Sequence, residues 1–241
     1  ALGISMRITQ MVWALFKGIT TGASVYVAQY FGAKEYGKMK HVMQQTLIST
    51  IIVVVILQAV VYIFSPALLG IFDPSPELLE KAITYIRTVS FGLPFLAVML
   101  VVGGVLQGMG NAKTPMIITM MMNIVNIAIG YVLIFGRLGF EPMGVKGAAI
   151  ATALSQFVAA ILGLYVLFNQ SGVLHSYLNT SFFSVDMPQI RNIYKVGLPS
   201  SAESMFWQLA AIILTRSILT YGETAFAAHQ LGMQAESISY M

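Results

Sequence analysis

The chain has 241 residues, of which 57% are hydrophobic and only 9% charged, with a net charge of +4. A soluble domain carries about a quarter charged residues, so this composition excludes an ordinary soluble fold, and a small positive balance without an arginine-rich face excludes nucleic-acid binding. The chain has no cysteine, which excludes disulfides, thiolate metal sites and cysteine nucleophiles, and its three histidines, His41, His175 and His229, are too scattered for a metal site.

Four runs, 47–69, 91–106, 116–135 and 148–168, contain no ionisable residue. A transmembrane helix needs about 20 mostly apolar residues. Strands of a membrane barrel would be shorter and would alternate, so these runs predict helices. In chain order, a first span at 2–31 is less apolar than the others and holds Arg7 and Lys17. A basic hinge follows at 32–41. The second span, 46–70, exits at Ser65-Pro66 and at the loop Asp73-Pro74-Ser75-Pro76. Glu77, Glu80 and Lys81 predict an interfacial turn before a third span at 83–107. A tight turn at 108–115 leads to the fourth span, and a glycine-rich loop at 136–147 leads to the fifth. After a polar stretch, Asp186 is the expected N-cap of a last full helix, which opens at Pro188 and runs to about 220. Arg191 and Lys195 put its first turns along the membrane interface. A turn at 222–223 starts an incomplete span. The fold class predicted is therefore an all-α polytopic transmembrane bundle of six full spans and the start of a seventh. Both ends fall inside apolar runs, which reads as a piece cut from a longer protein.

Orientation follows from the loop cations. One alternating set of connections holds Lys34, Lys38, Lys40, Lys113, Arg191 and Lys195. The other holds Lys81, Arg137 and Lys146 with most of the acids. The first set is expected on the cytoplasmic side of a multi-pass protein of the cell (inner) membrane. Residues 231–239 also echo residues 2–10 at an offset of 229. If that offset is a repeat period, the parent holds two such units facing each other across a cavity.

Four motifs carry a resemblance. They are Val27-Ala28-Gln29-Tyr30-Phe31-Gly32-Ala33, Gln107-Gly108-Met109-Gly110-Asn111-Ala112-Lys113-Thr114-Pro115, Gly144-Val145-Lys146-Gly147-Ala148-Ala149-Ile150-Ala151-Thr152 and Ala227-Ala228-His229-Gln230. In order and spacing the chain resembles the multidrug and toxic compound extrusion (MATE) transporters, from about helix 2 to the start of helix 8. The resemblance implies a MATE-like bundle. It would place N-lobe helices 2–6 in 1–168, a cytoplasmic inter-lobe linker in 169–187, and the start of the C-lobe, helix 7 and the beginning of helix 8, in 188–241.

Each candidate residue has two readings. Gly18-xxx-Gly22 and Gly104-xxx-Gly108 are small-residue patterns that let helices approach closely. Asn123 and Asn126 lie on one face of an apolar helix, where amides must find partners. They serve either an interhelical bond or a polar cavity shared with Gln107, Thr152 and Gln156. The resemblance favours the cavity, since similar transporters put an asparagine in their N-lobe cation site. Where one branch has an aspartate a turn later, this chain has Gly130. Glu203 lies in the apolar part of the last full helix and is either structurally paired or a group that exchanges protons or binds cations. Some relatives carry a helix-seven glutamate where this chain has Trp207. Lys17 is mid-span and faces either a cavity or a partner acid. Arg7, Arg216 and Glu236 are further charge-pair candidates, and Glu236 resembles an acid near the start of helix 8 in some relatives. Trp13, Phe16, Tyr131, Phe206, Trp207 and the methionines are either an adaptable pocket or ordinary core and lipid-facing residues.

No P-loop, catalytic triad spacing or metal cluster is visible, so no enzyme activity and no cofactor is expected, only a coupling ion. The reading is a secondary active transporter that exports small cationic or amphipathic compounds by Na⁺ or H⁺ antiport through alternating access. It would work as a monomer when full length, in the lipid bilayer. The alternatives are a lipid-linked precursor flippase of the same superfamily, which needs a basic cavity, and a membrane scaffold that transports nothing.

Overall fold

In hydrocarbon a backbone amide has no water to bond, so each apolar run must satisfy its own N–H and C=O groups, and each does so as a helix. The computed structural model describes the backbone of residues 2–72, 75–169, 172–174 and 184–239, and the side chains of 9–72, 75–169, 172–174, 184–222 and 224–236. Eight helices follow in order: α1 (Leu2–Gly32), α2 (Tyr36–Gly70), α3 (Pro76–Ser90), α4 (Leu93–Gly108), α5 (Lys113–Phe135), α6 (Gly144–Phe168), α7 (Met187–Leu219) and α8 (Glu223–Ser239). No strand occurs among the described residues.

Among the described residues four helices are long and apolar enough to cross a membrane, and α3 with α4 makes a fifth span if the bent pair is taken as one. α7 has the length for a sixth, about 50 Å at 1.5 Å per residue. It carries Arg191, Lys195, Glu203 and Arg216 and is too polar to count as a span on composition. α8 follows as a 17-residue helix.

Three sequence expectations need correction. The basic hinge at 32–41 is only a three-residue turn, with Lys34 in the left-handed region at φ 59°, and Lys38, Lys40 and His41 already lie in α2. The second span ends at Gly70 as expected, but Ser65-Pro66 does not mark its exit, because both residues lie inside α2. Pro66 has no N–H to give Tyr62, four residues back. The Ser65 hydroxyl donates to that carbonyl instead, at 3.1 Å. Arg87 Nε in turn donates to Ser65 Oγ at 3.0 Å and fastens α3 to α2. Of the loop expected to follow, Asp73 and Pro74 lie outside the described residues.

The third span is the remaining correction. It is broken, with 53° between α3 and α4. Pro94, in the first turn of α4, lacks the N–H that would continue the ladder. At the corner, a Cβ on Gly92 would come within 2.3 Å of Gln156 Oε1 and 3.0 Å of the Ala153 Cα. The corner is therefore pressed against α6. α5 ends on Gly136, which adopts a left-handed conformation at φ 65°.

Two large clusters carry most of the core among the described residues, beside a small third of Tyr85, Val89 and Ala149. One joins Val12, Phe16 and Ile19 of α1 to Val54 and Val61 of α2, Ile86 of α3, Leu96 of α4 and Phe226 of α8. The other joins Ala23 and Val27 of α1 to Met43, Val101, Val105, Ala160 and Ile193 from α2, α4, α6 and α7. α1 runs through both.

The start of α7 is tied to α2. Asp186 caps α7 as expected, its carboxylate accepting from the Gln189 N–H at 3.2 Å. His41 Nε2 lies 2.8 Å from the other carboxylate oxygen. Buried Gln45 donates to Ser184 O at 2.6 Å and accepts from the Asp186 N–H at 2.8 Å. The His41 hydrogen bond first, and the Gln189 N–H second, hold the Asp186 carboxyl below its usual range. Most of the expected linker, including residues 170–171 and 175–183, lies outside the described residues.

Candidate functional site

Glycines bring three helices together at the centre. A Cβ on Gly22 would lie 2.3 Å from Ile193 O, and one on Gly197 would lie 2.5 Å from Gly18 O. α1 and α7 thus touch backbone to backbone, and Ser201 Oγ donates to Leu15 O at 3.0 Å across the same seam. Gly104 and Gly108 give α1 the same freedom towards α4. Their Cβ atoms would lie 2.1 Å from Thr20 Cγ2 and 2.8 Å from Ser24 O. Both small-residue patterns of the sequence therefore pack against neighbours in one arrangement.

Beside this centre, α1, α4 and α5 leave a groove of about 390 Å³, within the range of small-molecule sites. Its polar lining comes from Lys17, Thr20, Thr21, Ser24, Gln107 and Thr119. The Lys17 ammonium stands over the Trp13 ring, 5.7 Å from its centroid. Thr20 Oγ1 is buried and has no hydrogen-bond partner among the described residues. Lys17 lies midway along α1, about 22 Å from either end, Leu2 and Gly32. Its side chain is too short to reach either end of the helix and lines the groove.

A second polar cluster lies in the α5–α6 seam. Asn126 Nδ2 donates to Thr152 Oγ1 at 3.4 Å and Ser155 Oγ at 3.3 Å. Gln156, one residue beyond Ser155, is buried, and its Oε1 has no partner among the described residues. Asn123 is exposed, one turn beyond Thr119 on α5.

One cavity shared by Asn123, Asn126, Gln107, Thr152, Gln156 and Glu203 is not what the described residues form. Gln107 lines the groove, Asn126 and Thr152 share the seam, and Gln156 is buried against the α3–α4 corner. Glu203 is exposed on α7. It follows Ser201 by two residues, about 200° around the helix, so it points away from the face that meets α1. The charge-pair candidates also stand apart. The ion pairs among the described residues are Glu35–Lys38, His41–Asp186 and Glu77–Lys81. Arg216 and Glu236 do not pair, because one precedes the α7–α8 turn by about a turn and the other follows it by several. The side chain of Arg7 lies outside the described residues. Of the aromatic candidates, Phe16 is core, Trp13 lines the groove, and Phe206 and Trp207 are 72% and 75% exposed.

Of the hydroxyls, the sequence singled out Thr152 but not Thr20, Thr21, Ser24, Thr119 or Ser155. Lys17, Thr20, Thr21 and Ser24 recur at i, i+3, i+4 and i+7, which is a polar stripe on one helix face. Ser155 follows Thr152 at i+3 on α6. Read for polar periodicity as well as apolar length, both stripes were visible.

A family model described as MatE matches residues 1–132. A probable multidrug resistance protein NorM of Thermotoga maritima is 30% identical over 241 residues, all of this chain and 51% of the relative. The chain spans about half the length of the curated relatives it matches. Two solved structures of a multidrug resistance MATE family transporter of the MOP superfamily are similar. The inward-facing conformation has a TM-score of 0.83 at 27% identity, over 94% of this chain and 50% of the other. The outward-facing one has 0.84 at 26%, over 98% and 52%.

Proposed function

This chain belongs to the MatE family, one of transporters rather than enzymes, and from that premise we propose that it forms part of an exporter of small amphipathic compounds. The observation that carries the reading is the groove. A polar trough at membrane depth, holding an ammonium, an amide and four hydroxyls, has no use in a scaffold, where each such group costs free energy unless it is satisfied. It is the feature a substrate path needs.

Transport proceeds by alternating access. Similarity to both an inward-facing and an outward-facing structure supports two states of one architecture. In this reading residues 1–168 and 188–241 belong to two lobes, and the α1–α7 glycine seam is the surface on which one rocks against the other. Backbone-to-backbone contact at Gly22 and Gly197 favours this, since neither residue carries a side chain to interlock. The coupling ion is Na⁺ or H⁺. The oxygens of the seam, Thr152 and Ser155, suit a hard cation, with Asn126 aligning them. Glu203, on the far face of α7, is the ionisable group through which protons would couple. The protein acts as a monomer in the cell membrane.

The test is export of a fluorescent amphiphile from cells that express the full-length protein, with and without a sodium or proton gradient. Gradient-dependent efflux is expected. Gln107→Leu is expected to slow it about tenfold, the effect of one lost polar contact, and Glu203→Gln to flatten its pH dependence. Efflux no faster than in cells lacking the protein would remove the transport reading.

A further inference from the structure

Lys17 is the only ionisable residue among those described that line the groove. It has no acid partner among the described residues, and its one aromatic neighbour is Trp13, 5.7 Å from ammonium to ring centroid. A ring face attracts a cation but does not neutralise it. The remaining polar lining is hydroxyl and amide, which donate or accept but carry no charge. Among the described residues the one full charge in the trough is therefore positive, and the low-dielectric helices around it strengthen its field. A cationic amphiphile entering here meets a like charge, whereas an anionic group finds one full charge and several donors.

We propose that the groove selects compounds bearing an anionic group, a carboxylate, sulfonate or phosphate attached to an apolar body. Lys17 is the charge that recognises the anion, Thr20, Ser24 and Gln107 complete its hydrogen bonds, and Trp13 packs on the apolar body. The inference rests on the groove being the substrate path. It goes further by stating the sign of the substrate's charge, opposite to the cation preference expected from the sequence.

Full-length protein is reconstituted in nanodiscs of phosphatidylcholine. Binding of an anionic probe, anilinonaphthalene sulfonate, is compared with that of a cationic one, ethidium. Lys17→Gln is expected to weaken the sulfonate about tenfold, the lower end of what a charge-assisted bond contributes, and to leave ethidium unchanged or tighter. Lys17→Arg is expected to keep sulfonate binding. If Lys17→Gln folds poorly, Thr119→Glu serves instead, since it adds a negative charge to the lining and should exchange the preference for the sulfonate for one for ethidium. Sulfonate affinity that moves less than twofold in both Lys17→Gln and Thr119→Glu overturns the proposal. A second arm adds phosphatidylglycerol. Lys17-dependent competition by it identifies a lipid headgroup as the source of the anion, and no competition identifies a soluble acid. Both results keep the anion assignment.

Uptake into proteoliposomes separates the two readings. Lys17-dependent binding without uptake of either probe ends the transport reading and leaves the charge assignment intact. Uptake of ethidium in preference to the sulfonate, unaltered by Lys17→Gln, does the reverse.

Discussion

α1 holds Lys17 and a stripe of hydroxyls, yet 44% of its most apolar stretch is buried inside the bundle. α5 has no ionisable residue beyond Lys113, yet only 17% of its most apolar stretch is buried. The more polar helix is central and the more apolar one peripheral. Lipid tails are as apolar as leucine, so hydrophobicity does not draw helices together in a membrane. Close packing and polar partners do. α1 has Gly18 and Gly22 for α7, meets Gly104 and Gly108 of α4, and turns its hydroxyls into a groove. α5 has Met116, Met120, Ile124 and Ile127, all more than half exposed, and meets α6 along a narrow face around Asn126, Gly130 and Leu133.

The contrast can be broken at single residues, each read as the change in thermal unfolding of the detergent-solubilised full-length protein. The largest effect is expected at the centre. Gly22→Val puts atoms where Ile193 O already stands, and a backbone carbonyl cannot swing aside as a side chain can. A loss of about 3 kcal/mol is expected, the upper end for overpacking, and an unfolding temperature equal to wild type would show the seam to be looser than drawn. Asn126→Leu should cost less, about 0.6 to 1 kcal/mol. Thr152 and Ser155 keep their own bonds to Ala148 O and Thr152 O, at 3.0 and 2.8 Å, so neither hydroxyl is orphaned; a cost above 3 kcal/mol would make the seam as critical as the centre.

At the exposed latch on α2 the effect is smaller and depends on pH. The Asp186 carboxyl is held below its ordinary value of 3.8. Its contribution is therefore full above that value and is lost as the pH falls through the lowered one. Asp186→Asn should be less stable than wild type at neutral pH and converge with it on acidification, and a gap that widened in acid would reverse the assignment. Smallest of all, Gly130→Ala on α5 meets Ala151 Cβ at 3.7 Å and Ile134 Cδ1 at 3.9 Å, both ordinary contacts. It should lie within about 0.5 kcal/mol of wild type.

Much of the fold was legible because it depends on runs and on special residues. The apolar lengths of 47–69, 116–135 and 148–168 announced their helices, Asp186 announced its cap, and both glycine pairs announced close packing. The helix boundaries were legible less well. Pro66 marked an exit that Ser65 repaired by bonding the carbonyl left open, and the same residue type at Pro94, beside Gly92, did break a span. The difference lies in the neighbours. For the site, polar residues in apolar runs were found one by one, but their grouping was not. Asn126 and Glu203 carry the same kind of signal in sequence, and the helices turn one into the α5–α6 seam and the other away from α1.

The chain by itself determined that it is a bundle of membrane helices of the MatE family, since the cost of an unbonded amide in hydrocarbon depends only on which residues are apolar and for how long. Tertiary structure alone decided that α1 is the centre, that Lys17 and Gln107 share one groove, and that Asn126 is held apart from it. Those outcomes depend on which faces meet, and at the central seams faces meet where the absence of a side chain lets two backbones touch.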